Sequence, residues 1–255
     1  MFLASGLSVC TLLAACRSER LPKDSPEVSP ARGVPVSPSP GAVASPGSGD
    51  HDFTALDRGA SSRGKRVMVF RRPSDGSGSR YLSARNPMGQ RVVFLITDST
   101  VRADGTWYRI LLPERPNGSE RWVPSREVRV VGLQDRLVID LSHYTLTRYS
   151  GGRMVDHFKV GIGQPQWPTP TGAFYVWAQV PQASPTGPYG AYALGLSGFS
   201  PVLTEWPGGG RFAIHGTPYR WDTGRKISHG CIRVFNRDVL TLRDIPLGTP
   251  VMIVP

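Results

Sequence analysis

Phe212-Ala213-Ile214-His215-Gly216-Thr217 and, beyond a polar connection, Ser228-His229-Gly230-Cys231-Ile232-Arg233-Val234 are the stretch from which the rest of the chain is read. Phe212–Ile214 is an apolar, strand-like run ending on His215, and Ile232 and Val234 frame Cys231 in the same way. Two adjacent strands joined through Pro218–Ile227 bring the histidine and the cysteine together. A thiol attacks a carbonyl only as thiolate, so it needs a base, a group that orients the base, and N–H donors for the oxyanion. Two histidines qualify as the base. His229 lies two residues from Cys231 and points to the same face of an extended segment. His215 approaches only through the fold, with the carbonyl of Gly216 beside it to orient the ring. Gly230 permits a tight turn, and its N–H, with that of Cys231, is a candidate for the oxyanion.

The ordered set His215-Gly216-Thr217 followed by Ser228-His229-Gly230-Cys231-Ile232-Arg233 resembles the signature of the YkuD-type L,D-transpeptidases of bacterial cell walls. The resemblance implies His215 as base, Gly216 as its orienter and Cys231 as nucleophile. Ser228, His229 and Arg233 become substrate-side positions, and many members carry Asn where Arg233 stands. It further implies peptidoglycan stem peptides as substrate, carbapenem-type β-lactams as inhibitors acting on the same thiol, and no cofactor. His215, His229 and Cys231 are also zinc-ligand types, but their spacing lacks the paired pattern of zinc sites, so no metal is expected.

Around this stretch, 24 Pro and 29 Gly in 255 residues point to β structure and linkers rather than long helices. A formal charge of +11 suits an anionic environment. No basic helix, zinc knuckle or RNA-binding aromatic motif accompanies that charge, so nucleic acid is not expected as a partner.

Residues 1–16 read as a secretion signal whose Leu13-Ala14-Ala15-Cys16 resembles a lipoprotein lipobox, with Cys16 as the acylated residue. That predicts an extracytoplasmic protein anchored to the membrane by lipid and facing the wall. Cys231 is then the only thiol of the folded part. Residues 17–62 are rich in Pro, Ser and Gly and read as a disordered tether.

The expected fold is mainly β. Residues 63–132 alternate apolar and polar in short runs, such as Arg66–Phe70 and Thr106–Leu112, and resemble a bacterial SH3-like β-barrel module. Residues 133–255 form the catalytic domain, sandwich-like in the resembled family, with strands at Arg136–Leu141, Thr145–Tyr149, Met154–Val160 and Ala173–Trp177. A hairpin is predicted at Ser150–Arg153 and a short helix at Asn236–Arg243. Pro185–Gly198 lacks any period and reads as a long binding loop that places Tyr189 and Tyr192 near the substrate. Two alternatives stand beside cross-linking: trimming of stems as a carboxypeptidase, which the motif does not separate from it, and wall binding without catalysis, against which the paired histidine and lone thiol speak.

Overall fold

A computed structural model describes residues 56–74, 76, 78–205 and 208–255. The signal segment, Cys16 and almost all of the expected tether lie outside the described residues. The chain opens with β1 (Arg58–Ser62), β2 (Arg66–Val69), β3 (Arg80–Ser83), β4 (Val93–Arg102), β5 (Gly105–Leu111), β6 (Glu120–Pro124) and β7 (Val128–Gly132). Five of these make a sheet in the order β6-β5-β4-β1-β7, and β2 and β3 pair as a separate ribbon. Phe70 bridges to Trp122, which joins the ribbon to β6. β1 corrects the boundary placed at residue 63, because Arg58–Ser62 lies between β4 and β7 inside the sheet. Its short, polar sequence hides this role. Gly59 is required there, since a Cβ would come within 2.5 Å of Val93.

The second half contributes β8 (Asp135–Asp140), β9 (Thr145–Ser150), β10 (Arg153–Gly163), β11 (Gly172–Pro181), β12 (Tyr192–Phe199), β13 (Arg211–Thr217), β14 (Lys226–Ser228), β15 (Ile232–Phe235), α1 (Asn236–Val239) and β16 (Pro250–Val254). Their order is β14-β10-β15-β13-β12-β11-β16-β8-β9. The long strand β10 pairs β9 along Arg153–Lys159 and β15 at Val160 and Gly161, so the sheet closes on itself. The enclosed core includes Leu137, Leu146, Val160, Val176, Leu194 and Ile214, all fully buried. The β9–β10 turn has Gly151 at φ 55° and Gly152 at φ 80°, the two left-handed residues that a two-residue hairpin of this twist requires.

Pro185–Gly198 is not one loop. Tyr192–Phe199 is β12, paired to β11 on one side and β13 on the other. The irregular part ends at Ala191. β12 is buried on both faces, which removes the alternation by which a strand is recognised.

Candidate active site

His215 sits near the end of β13, fully buried. β13 and β15 run parallel, with His215 in register with Arg233. Side chains alternate along a strand, so Cys231, two residues before Arg233, falls on the face that carries His215. Parallel neighbours need a crossover. The connection supplies it with a 3-10 turn at Arg220–Asp222 and with β14, which pairs β10.

The imidazole is held at one nitrogen. Nδ1 lies 2.9 Å from the carbonyl oxygen of Gly216. A carbonyl can only accept, so Nδ1 carries a proton, and in the neutral ring the lone pair is on Nε2. Nε2 is buried and has no hydrogen-bond partner among the described residues. The ring of Tyr189 packs edge-on against the imidazole, with centroids 5.3 Å apart and planes at 83°.

Gly216 has no room for a side chain, since a Cβ would meet Asn236 Oδ1 at 2.4 Å and the Ala191 nitrogen at 2.8 Å. Asn236 staples the preceding loop over this point. Its Oδ1 accepts from Ala191 N–H at 2.8 Å, and its Nδ2 donates to the Pro185 carbonyl at 2.7 Å. The loop so held carries Tyr189 and therefore the wall of the histidine.

Cys231 is 2% exposed, and the turn before it is fixed by hydroxyls. Ser228 Oγ donates to the Cys231 carbonyl at 2.6 Å and accepts from Gly230 N–H at 3.1 Å. Thr169 Oγ1 donates to the Gly230 carbonyl at 3.0 Å and accepts from Gly163 N–H at 2.9 Å. Gly230 has φ 112°, a conformation closed to other residues. The Gly230 N–H, a candidate oxyanion donor, donates to Ser228 Oγ in this structure.

His229 lies against Trp167, ring centroids 4.1 Å apart. Burial first, and then the charge of Arg233, holds its pKa below the ordinary imidazole value, while Cys231 acts in the opposite direction. Arg233 in turn donates to Asp222 Oδ2 at 3.0 Å, and the same oxygen accepts from Thr217 Oγ1 at 2.6 Å. Asp222 is buried and ties the strand after His215 to the strand after Cys231.

Tyr192 is placed elsewhere. Its neighbour Ala193 pairs with His215, so Tyr192 faces the other side of the sheet, where its hydroxyl donates to the Arg243 carbonyl at 3.4 Å. Thr169, Asn236, Asp222 and Trp167 are positioning residues that no motif in the sequence marks. Of the four, only Asn236 falls on an element expected from the sequence, the start of the short helix. Among the described residues, no group of three or more His, Cys, Asp and Glu side chains is placed to hold a metal ion.

Burying an imidazole with one nitrogen unpartnered costs about 1–3 kcal/mol. The family model of the L,D-transpeptidase catalytic domain, YkuD, matches residues 134–253. The putative L,D-transpeptidase YkuD of Bacillus licheniformis is 37% identical over 121 residues, 47% of this chain and 66% of that protein. Its Bacillus subtilis counterpart is 31% identical over 150 residues, 56% of this chain and 84% of that protein. Among solved structures, an L,D-transpeptidase from Mycobacterium tuberculosis overlaps 56% of this chain and 75% of its own, with 20% identity and a TM-score of 0.40. The chain belongs to the L,D-transpeptidase family of peptidoglycan-modifying enzymes.

Proposed function

We propose that this protein cross-links peptidoglycan between the third residues of stem peptides, through a thioester on Cys231. The observation that carries the reading is the commitment of His215 Nδ1 to the Gly216 carbonyl, which leaves Nε2 as a proton acceptor on the face that carries the thiol. In the first step the thiol proton passes to Nε2, and the sulfur attacks the carbonyl that joins the third stem residue to D-alanine. The oxyanion is assigned to the Cys231 N–H, since Gly230 N–H is engaged. The imidazolium then protonates the departing amine of D-alanine. In the second step an amine of a neighbouring stem attacks the thioester, Nε2 takes its proton, and the thiol is restored. No cofactor enters either step.

Hydrolysis of the same thioester would make the protein a carboxypeptidase, and wall binding by the first sheet alone would make it a non-catalytic lipoprotein. Intact-mass spectrometry of the protein with a carbapenem, parent beside Cys231→Ala, separates catalysis from scaffolding. The expected result is one adduct on the parent and none on the variant. Products from a disaccharide-tetrapeptide then separate dimer from trimmed monomer. His215→Ala should abolish acylation, whereas His229→Ala should retain it. The reverse pattern would transfer the base to His229.

We also propose that residues 1–16 direct export, that Cys16 carries the lipid anchor, and that residues 58–132 are an SH3-like module facing the wall. The lipobox and the short alternating strands support these assignments. Metabolic labelling with a palmitate analogue, parent beside Cys16→Ser, tests the anchor.

A further inference from the structure

The connection between His215 and Cys231 carries two aromatic rings that neither the fold nor the reaction uses. Tyr219 and Trp221 stack on each other with centroids 4.5 Å apart and planes at 28°. They remain 47% and 59% exposed, in a domain whose other large apolar side chains are mostly interior. Each ring covers part of its partner, and about half of each remains open to solvent.

The base beneath them is rigid. Asp222 is buried between Thr217 and Arg233, Tyr219 N–H donates to Thr217 Oγ1 at 3.2 Å, and Asp222 N–H donates back to the Tyr219 carbonyl at 3.2 Å. Gly161 is bare because the Asp222 carbonyl lies where its Cβ would be, 2.2 Å away. Arg220, between the two rings in sequence, is drawn down over the Phe235 ring at 4.2 Å. A rigid, outward-facing aromatic surface loses little entropy on binding.

We propose that the stacked Tyr219–Trp221 pair is a sugar platform that holds the glycan strand of the substrate beside the Cys231 site. The proposal rests on the peptidoglycan reading of that site. A pyranose ring offers one face of C–H groups to an aromatic plane and keeps its hydroxyls in water, so a flat convex surface suffices. A peptide would need exposed backbone hydrogen-bonding edges or side-chain pockets. The position fits as well. Asp222, next to Trp221, is bonded to Arg233, two residues beyond the nucleophile. The pair is thus tied through one ion pair to the strand that follows the nucleophile, next to the site where a glycan-linked stem would react.

The test uses the full chain and chitotetraose, the β-1,4-linked tetramer of N-acetylglucosamine. Calorimetric titration should give saturable binding to the parent, weakened about tenfold in Trp221→Ala and in Tyr219→Ala, with Trp221→Phe close to the parent. Carbapenem acylation of Cys231 should be equal in all four proteins, which also shows that the variants are folded. With a glycan-linked tetrapeptide as donor, KM should rise about tenfold in the two alanine variants, with kcat and the KM for the free tetrapeptide unchanged. Absence of chitotetraose binding by the parent, or equal binding by the variants, overturns the proposal. An equal KM rise for the free tetrapeptide overturns it too and reassigns the rings to the peptide. Ring-dependent sugar binding without acylation of the parent would remove the transferase reading and leave the platform standing.

Discussion

Asp222 is the site's mechanical hinge-pin, and its removal has a calculable cost. Its side chain is 4% exposed and that of its partner Arg233 is 14% exposed. Asp222→Ala strips the guanidinium of its carboxylate and Thr217 Oγ1 of its acceptor. Breaking a buried pair by deleting one partner costs about 3–5 kcal/mol, and the residual access of water to Arg233 places this case near the lower end. For a folded unit of this size each kcal/mol lowers Tm by about 2–4 °C, so the expected fall is about 6–12 °C. Arg233→Met should cost less, because the remaining carboxylate keeps its bond to Thr217. In the double variant neither charge is stranded, and a cycle of urea unfolding curves should give a coupling of about 2 kcal/mol. Acylation by a carbapenem should slow about tenfold in Asp222→Ala, since Thr217 and Arg233 each lie two residues from a reacting side chain. Additivity of the two single changes within about 0.5 kcal/mol would refute the claim that Asp222 couples the two strands.

Three further outcomes follow from the geometry. Asn236→Ala removes both bonds that hold the loop at Pro185 and Ala191, and should cost about 2 kcal/mol and make that loop a site of limited proteolysis. Gly216→Ala forces a methyl into Asn236 and the Ala191 nitrogen, so it should lose about 1–3 kcal/mol of stability and most of the acylation rate, read by urea unfolding and adduct mass. For His229 the unfolded chain takes up a proton as pH falls through the ordinary imidazole range while the folded site resists it, so the folded state loses stability on acidification. His229→Gln should therefore show a smaller fall in Tm between pH 7 and pH 5 than the parent.

Most strands were legible because they alternate, and the Ser150–Arg153 hairpin because its two glycines permit the left-handed turn. The motif residues were legible because a reactive thiol, two histidines and their glycines stand in a fixed order. β12 was not. Gly195 lies with its missing Cβ 3.2 Å from that of Ala178, and at Gly198 a Cβ would collide with the rings of Phe174 and Phe212. Four of its eight residues, Ala193, Gly195, Ser197 and Gly198, are small because neighbouring side chains occupy their volume, and a strand so interrupted reads locally as a loop. Nor does the order of residues reveal that Ser228 competes for the Gly230 N–H, because that competition is decided by a hydroxyl rotamer. Thr169 and Asn236 act across long chain separations on Gly230 and Ala191, and no local pattern announces such pairs.

The first sheet is bound to the second too firmly to act as a swinging arm. Arg211 is inserted between Trp177 and Phe199, its guanidinium 3.8 Å and 4.2 Å from the ring centres, and donates to the Pro113 carbonyl. Burial lowers its pKa to about 10, so at neutral pH it is still charged and holds these contacts as a cation. Arg115 donates to the carbonyls of Ser200, Leu203 and Gly209, and Asn117 both donates to and accepts from the backbone of Phe199. Asn86 and Gln90 reach the backbone of Trp177 and Gln179 in the same way, over a shared apolar layer that includes Leu95, Tyr175 and Ala178. Separating the two sheets would exchange all of these bonds for water, at about 0.5–1.5 kcal/mol each, and would expose the shared apolar layer. The first sheet is therefore held at a fixed distance and angle from the sheet that carries Cys231.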